Sequence, residues 1–423
     1  MPNDSRSDAQ YSLRFFVYLG MLLLVPMGGM AENSDSVAPA CSTVAVEEGT
    51  EIECSVDLSA HPGVSSIRYQ YVSSSTNSET VSSVIDTGAV HTCGILENGS
   101  AMCWGRDTYG QLGDGGEATS NIRPNTYVDT PNDVTVSQIF TGPYRTCAIL
   151  SNDVTNCWGF NEDGQSGDES TNTYKSPTNA VKFPEGRVAE SMGMGHKHTC
   201  AILDNDQLAC WGTDLHGALG NGDSNSEDQY LPVIISTPAD RTTVKVEAGV
   251  SHTCILMDDG GIMCWGRDNA GQLGNGESSP TTYAPESDVI LPEGRIATDI
   301  SVGNEHSCAI LDNKSVVCWG MNNYGQLGDN SSTNAKIPTF PHLPNGSTAT
   351  KISSGSQHTC ATIENGSLYC WGHNKNSRLG LGTSGGVHKI PMFVTTDQSI
   401  AEISASAEHT CVLSENAVSY THL

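Results

Sequence analysis

The chain has 423 residues, of which 16 % are charged and 6 % aromatic, with 44 glycines. Its net charge of −28 repels polyanions, which excludes general binding to nucleic acid. Fifteen cysteines are many for a reducing compartment and point to an oxidising one.

The N-terminus reads as an export segment. Arg14 precedes an apolar run over residues 15–27, broken by Gly20 and Pro26. This run is short against the roughly 20 residues of a membrane span. Gly29-Met30-Ala31 then offers a small-x-small cleavage pattern before Glu32. Residues 1–31 are expected to be a signal peptide, with an uncleaved anchor as the alternative. Residues 32–83 are expected to be a cap and linker: 47–57 alternates weakly, Cys41 and Cys54 are placed to pair, and 73–83 is serine-rich. No second apolar stretch is long enough to span a membrane.

From residue 84 to 423 one period dominates. Cys93, Cys147, Cys200, Cys254, Cys308, Cys360 and Cys411 follow one another at spacings of 54, 53, 54, 54, 52 and 51. Six units add a second cysteine ten positions on, at Cys103, Cys157, Cys210, Cys264, Cys318 and Cys370, each followed by Trp-Gly. A Gly-Gln-Leu-Gly box comes next, at 110–113, 271–274 and 325–328, with variants at 164–167, 217–220 and 377–380. Fixed periods of this order mean solenoids, propellers or arrays. The fourth unit reads as strands over 243–247, 252–257 and 261–265, with 289–291 available for a fourth. Four short strands per unit describe an all-β propeller blade, whose two faces are buried only by stacking on neighbours.

The cysteine spacing implies a hairpin. Between Cys93 and Cys103 lies Glu97-Asn98-Gly99, a three-residue loop suited to a type I turn closed by a glycine bulge. That loop sets 93 opposite 103 on one face, with Cβ atoms about 4.5–5.5 Å apart. Asp153, Asp206 and Lys314 take the glycine place in three units, where the turn is less clearly written. Six intrablade disulfides are expected. Zinc is the alternative, but its sites bring close pairs such as Cys-x2-Cys converging on one ion, and here nine residues separate the partners throughout.

Histidine stands two positions before the first cysteine in six units (His91, His198, His252, His306, His358, His409), with Arg145 in the seventh. A channel-lining ring for metal or proton sensing is one reading. The other, preferred here, is a buried polar group bonding backbone in its own or the next blade. The tryptophans are expected to pack blades rather than stack sugars. Loops 107–114 and 161–168 are rich in Asp, Asn and Gly but lack the alternating ligands and terminal Glu of an EF-hand, so they read as turns.

His-Thr-Cys-Ala-Ile-Leu, a turn, Cys-Trp-Gly and then Gly-Gln-Leu-Gly, clearest at 198–220, 306–328 and 358–380, resembles the repeat of the regulator of chromosome condensation family. The resemblance covers residues 84–423 and implies a seven-bladed β-propeller of four-stranded repeats. The paired cysteines resemble its exported bacterial and archaeal branch. The founding nuclear member exchanges guanine nucleotide on a small GTPase, and another relative is a secreted inhibitor of β-lactamases. The seventh unit keeps His409-Thr410-Cys411, but Thr421 stands where its second cysteine is due. The last blade is therefore expected to be truncated and the chain incomplete at its C-terminus.

No Gly-x-Ser-x-Gly elbow, His-Glu-x-x-His or phosphate loop occurs. No catalytic, cofactor-binding or metal-binding residue is expected, and no cofactor. Recognition is expected in the non-repeating loops 117–131, 168–180, 223–238, 277–288 and 330–344, with Tyr127, Tyr174, Tyr230 and Tyr283 as candidate anchors. The expected function is an exported, non-enzymatic, monomeric propeller scaffold, secreted or at the cell surface. It would bind an unknown protein partner, with no nucleic acid and no membrane contact beyond an N-terminal anchor. The alternatives are a hydrolase or lyase with a channel-mouth site, or a guanine-nucleotide exchange factor by family analogy. Asn98, Asn313, Asn330, Asn345 and Asn365 begin glycosylation sequons.

Overall fold

The structure is a computed structural model. It describes residues 11–17, 40–41, 50–56 and 81–422, apart from 97, 117–120, 132, 226, 278–280, 397–398 and 415–419; for 11–17, 40–41, 50–56, 81–83, 121–126 and 420–422 it describes the backbone alone. Two compact units are present, residues 1–80 with 417–421 and residues 81–416 with 422–423. In the first, Tyr11–Val17 pairs antiparallel with Thr50–Val56, which also pairs with Ala40–Cys41 and sets Cys41 opposite Cys54. The sulfur pairing of these two cysteines, the proposed cleavage site and the serine-rich linker lie outside the described residues.

The second unit is built of antiparallel sheets whose strands follow chain order. In blade 4 these are Thr243–Ala248, His252–Met257, Ile262–Arg267 and Thr281–Thr282. The second strand is buried along its whole length in all six blades. A mid-blade strand is covered on both faces, so it is buried at successive residues rather than at alternate ones, its leading His-Thr, Arg-Thr or His-Ser pair included. The core therefore lies between blades: Leu256 and Ile262 of blade 4 share one cluster with Ala309, Leu311, Val317 and Trp319 of blade 5.

The expected all-β propeller is present, but the count of seven four-stranded blades is corrected to six blades among the described residues. The last unit supplies the hairpin Ile400–Ala405 and Thr410–Ser414. Blade 2 has three strands, Val136–Thr141, Arg145–Leu150 and Thr155–Gly159. Its outer segment makes two isolated bridges, at Tyr174 and Ala180. Pro177 lies between them without an N–H to offer, and its carbonyl accepts from the Asn156 amide instead. In blade 4 the outer strand is Thr281–Thr282 and not 289–291; Val289 is tied by one bond from its N–H to the Ile262 carbonyl, 2.7 Å.

The terminal hairpin closes the ring. The Thr87 N–H of blade 1 donates to Ser404 Oγ at 3.0 Å, and the two hydroxyls lie 2.7 Å apart.

Candidate functional site

Six bonds staple the hairpins: Cys93–Cys103, Cys147–Cys157, Cys200–Cys210, Cys254–Cys264, Cys308–Cys318 and Cys360–Cys370. In each pair the cysteines face one another in register. The turn is the same in all six units. Asp153, Asp206 and Lys314 adopt a positive φ of 63° to 65°, where Gly99, Gly260 and Gly366 adopt 76° to 80° in the other units. Cys411, whose counterpart position holds threonine, is a buried thiol that burial pushes up to about 12.

The repeated histidines form a relay between blades, buried at five of them and half-buried at His409. Nε2 of His91, His198, His252, His306, His358 and His409 lies 2.8 to 3.1 Å from a hydroxyl of the next unit: Thr146, Thr253, Ser307, Thr359, Thr410 and Thr92 respectively. The partner is a side chain, not the backbone the sequence suggested. Five of those hydroxyls, on Thr146, Thr253, Ser307, Thr359 and Thr410, donate in turn to a carbonyl of the box segment; Thr146, for example, donates to Gln111 O at 2.8 Å. With its proton so placed, the hydroxyl accepts from Nε2–H, and hydrogen-bond logic assigns a neutral Nε2–H tautomer. Burial pushes His91, His198, His252 and His306 down to about 3 and His358 well below its ordinary value. Arg145 spans the same gap with a buried guanidinium that donates to the carbonyls of Gly195, His196 and His198 and to Thr199 Oγ1.

The Trp-Gly and Gly-Gln-Leu-Gly segments form a second joint between blades. Nε1 of Trp158, Trp211, Trp265, Trp319 and Trp371 donates to the box carbonyl of the preceding unit at 2.8 to 3.1 Å. The last glycine of the box makes room for the indole: a Cβ on Gly220 would lie 2.4 Å from Trp265 Nε1.

Around the axis is a cavity of about 510 Å³ lined by the first strands of the blades. In blades 4, 5 and 6 and in the last unit, a bulge in the first strand is followed by Lys245, Asp299, Lys351 and Glu402, which line the cavity. These groups engage one another: Lys245 Nζ donates to Asp299 at 2.7 Å, and Lys351 Nζ to Glu402 at 2.7 Å. Asp86 accepts from the Thr141 and Thr87 N–H groups, and burial raises its carboxyl. Burial likewise raises Glu247, against the opposing pull of Lys245.

Where the relay departs from histidine, an aromatic cluster gathers. Tyr109 of blade 1 lies 5.7 Å from Tyr144 and 5.0 Å from Phe160 of blade 2, and Tyr144 lies 6.4 Å from His196 of blade 3, ring centre to ring centre. All four are half-buried. Sequence reading missed this group because it assembles across three units; its one visible trace was Arg145. Of the candidate anchors, Tyr127 is 47 % and Tyr230 43 % exposed. Tyr174 and Tyr283 are half-buried, and Tyr230 and Tyr283 pack against Gly164 and Gly217 of the preceding unit. The structure does not bring the four together. Among the described residues, no three His, Cys, Asp or Glu side chains converge as a metal centre would, and no helix is long and apolar enough to cross a membrane.

This repeat and ring define a propeller of one particular kind. Residues 176–422 match the model of the RCC1-like domain, and 83–111 and 98–149 match that of the regulator of chromosome condensation (RCC1) repeat. The chain belongs to the RCC1-like family. It is 26 % identical over 301 residues to the ultraviolet-B receptor UVR8 of Arabidopsis thaliana, covering 71 % of this chain and 67 % of the receptor. It is 25 % identical over 322 residues to the human E3 ubiquitin-protein ligase HERC2, covering 75 % of this chain but 6 % of the ligase. A crystal structure of yeast RCC1 (Prp20) bound to Kap60 superposes with a TM-score of 0.68 at 19 % identity, covering 80 % of each chain.

Proposed function

We propose that this chain is an exported, non-enzymatic scaffold that binds a protein partner through residues departing from its repeat. The observation that carries this reading is the Tyr109, Tyr144, Phe160 and His196 cluster at the unit where Arg145 replaces histidine. Recurring groups are consumed in joining blades, whereas partly exposed aromatic side chains held by a rigid ring suit a recognition surface. The exposed Tyr127 and Tyr230 extend the candidate surface to the rim loops. Six disulfides fit an extracellular protein, secreted or at the cell surface. Relatives of the fold support a protein partner: Prp20p of Saccharomyces cerevisiae has binding properties to Gsp1p and histones. The basic partners of a nuclear protein are not carried over, since fold does not fix function.

The channel reading of a hydrolase or lyase draws on the raised carboxyls of Asp86 and Glu247. Both are engaged, Asp86 with backbone N–H groups and Glu247 with Lys245 at 3.2 Å, so the scaffold reading is preferred. The deciding experiment is affinity capture from native membrane and secreted fractions. Capture is compared among wild type, a Tyr109→Ala/Tyr144→Ala/Phe160→Ala variant and a Lys245→Ala/Lys351→Ala channel variant. A partner lost with the aromatic variant and kept with the channel variant is the expected result. The reverse pattern contradicts the proposal.

A further inference from the structure

The dipeptide Asn-Gly occurs five times, at Asn98-Gly99, Asn221-Gly222, Asn275-Gly276, Asn345-Gly346 and Asn365-Gly366. This pair is open to reaction with itself, because glycine has no side chain to keep its nitrogen away from the asparagine carbonyl. Attack by that nitrogen has two requirements. The N–H must be free to give up its proton, and the asparagine side chain must be free to swing onto it.

Four of the pairs are tied at both groups. Asn98 Oδ1 accepts from the Ser100 N–H at 2.9 Å and from Ser100 Oγ at 2.6 Å, while the Gly99 N–H donates to Leu96 O at 2.9 Å. The blade 6 hairpin repeats this: Asn365 Oδ1 accepts from the Ser367 N–H at 2.9 Å, and the Gly366 N–H donates to Ile363 O at 2.8 Å. In the box loops, Asn221 Oδ1 accepts from the Asp223 N–H at 2.8 Å and Asn275 Oδ1 from the Glu277 N–H at 3.0 Å. Their glycines donate to the next unit, Gly222 to Tyr283 O and Gly276 to Lys336 O, both at 2.9 Å.

The fifth pair is free. Asn345 and Gly346 are exposed in the turn that leads into blade 6. The Ser347 N–H closes this turn onto Pro344 O at 3.0 Å, which leaves the Gly346 N–H outside the bond. Among the described residues, neither that N–H nor the Asn345 side chain has a hydrogen-bond partner. Nothing lies within 4 Å of the place a Cβ on Gly346 would take. Sibling turns are closed in the same way, Arg187 N–H to Pro184 O at 3.1 Å and Arg295 N–H to Pro292 O at 3.0 Å. Glu185 and Glu293 stand there at the place of Asn345, so this turn accommodates a carboxylate.

We propose that Asn345 is a site of spontaneous deamidation, selected by the fold from five chemically equal pairs. The Gly346 nitrogen attacks Asn345 Cγ. The new C–N bond closes a succinimide ring, the Cγ–Nδ2 bond breaks, and the nitrogen's proton leaves with ammonia. One water then opens the ring at either carbonyl and leaves aspartate or isoaspartate at 345. Each product adds a negative charge at the entry to Ala349–Ser354, the strand that carries Lys351 into the channel. The isoaspartate product also lengthens the main chain there.

The test incubates the folded, unreduced full-length protein at mildly alkaline pH. All five asparagines are followed by peptide mapping, and isoaspartate methyltransferase labelling counts the branched product. Asn345 is expected to convert at least about tenfold faster than each of the other four, whose hydrogen bonds must open first. In urea with reductant that protection is lost, and the five are expected to convert at similar rates. Conversion of Asn345 no faster than the others in the folded protein overturns the proposal. A gap between the sites that survives urea and reductant also overturns it, because the selection would then come from local sequence and not from the fold.

Discussion

Individual residues set how the ring responds to acid. Five buried histidines resist protonation: His91, His198, His252 and His306 are held at about 3, and His358 lies well below its ordinary value. For each, the folded state binds the proton more weakly than the unfolded state, so its contribution is full above about pH 6.5 and falls as pH drops toward 3. Burial shifts Asp107, Asp214 and Asp268 the other way, to about 6. Their carboxyls take up protons in the folded state first, so they add stability as pH falls from about 6 to 4. The raised carboxyls of Asp86 and Glu247 act in the same direction. Between pH 6 and 4 the carboxyls offset part of the histidine loss. Below about pH 4 the carboxyls no longer discriminate and the histidine effect stands alone. Urea unfolding is therefore expected to show a shallower loss of stability from pH 6 to 4 than from pH 4 to 3. A loss as steep between pH 6 and 4 as below pH 4 would contradict the buried-carboxyl assignments.

At the scale of elements, the joint between one unit's box and the next unit's indole carries the fold. Gly220 adopts φ 77°, and a Cβ there would lie 2.4 Å from the fully buried Trp265. Gly222 adopts φ 80° with nothing within 4 Å. Gly222→Ala meets only backbone strain and is expected to cost about 1–2 kcal/mol. Gly220→Ala adds a clash in a packed joint, a further ~1–3 kcal/mol. Denaturation midpoints of the pair measure the joint directly, and equal losses would contradict it. Much of this element was legible in the sequence. The ten-residue cysteine spacing specifies opposed positions, and the recurring second strand, polar only at its first residues in most units, is a strong signal. The outer strands were not legible. Thr281–Thr282 lies at a sheet edge, contributes few buried side chains and carries little pattern, so the more apolar 289–291 drew the assignment. Asp153, Asp206 and Lys314 made the turn uncertain from sequence, yet the stapled hairpin holds all three in the left-handed region. The aromatic cluster and the charged channel were hidden for a different reason. Each takes one or two residues from several units, and no single repeat contains the pattern.

Across the whole molecule, seven units share one joint, and the circle closes where the first meets the last. His409 reaches Thr92 at 2.9 Å and Ser404 meets Thr87, and the first of these repeats the histidine–hydroxyl contact made at five internal boundaries. Six hairpins are stapled, so the unfolded chain loses conformational freedom in each of six short loops, worth roughly 2–3 kcal/mol apiece in the chain-entropy picture. That gain requires the twelve sulfurs to be bonded within their own hairpins. The most direct measurement is thiol titration of the denatured, unreduced protein, followed by peptide mapping. The expected result is no more than three reactive thiols among the fifteen cysteines, with Cys411 among them and each staple mapped to partners ten residues apart. A dozen or more reactive thiols, or pairs mapped between different units, would contradict the stapled ring.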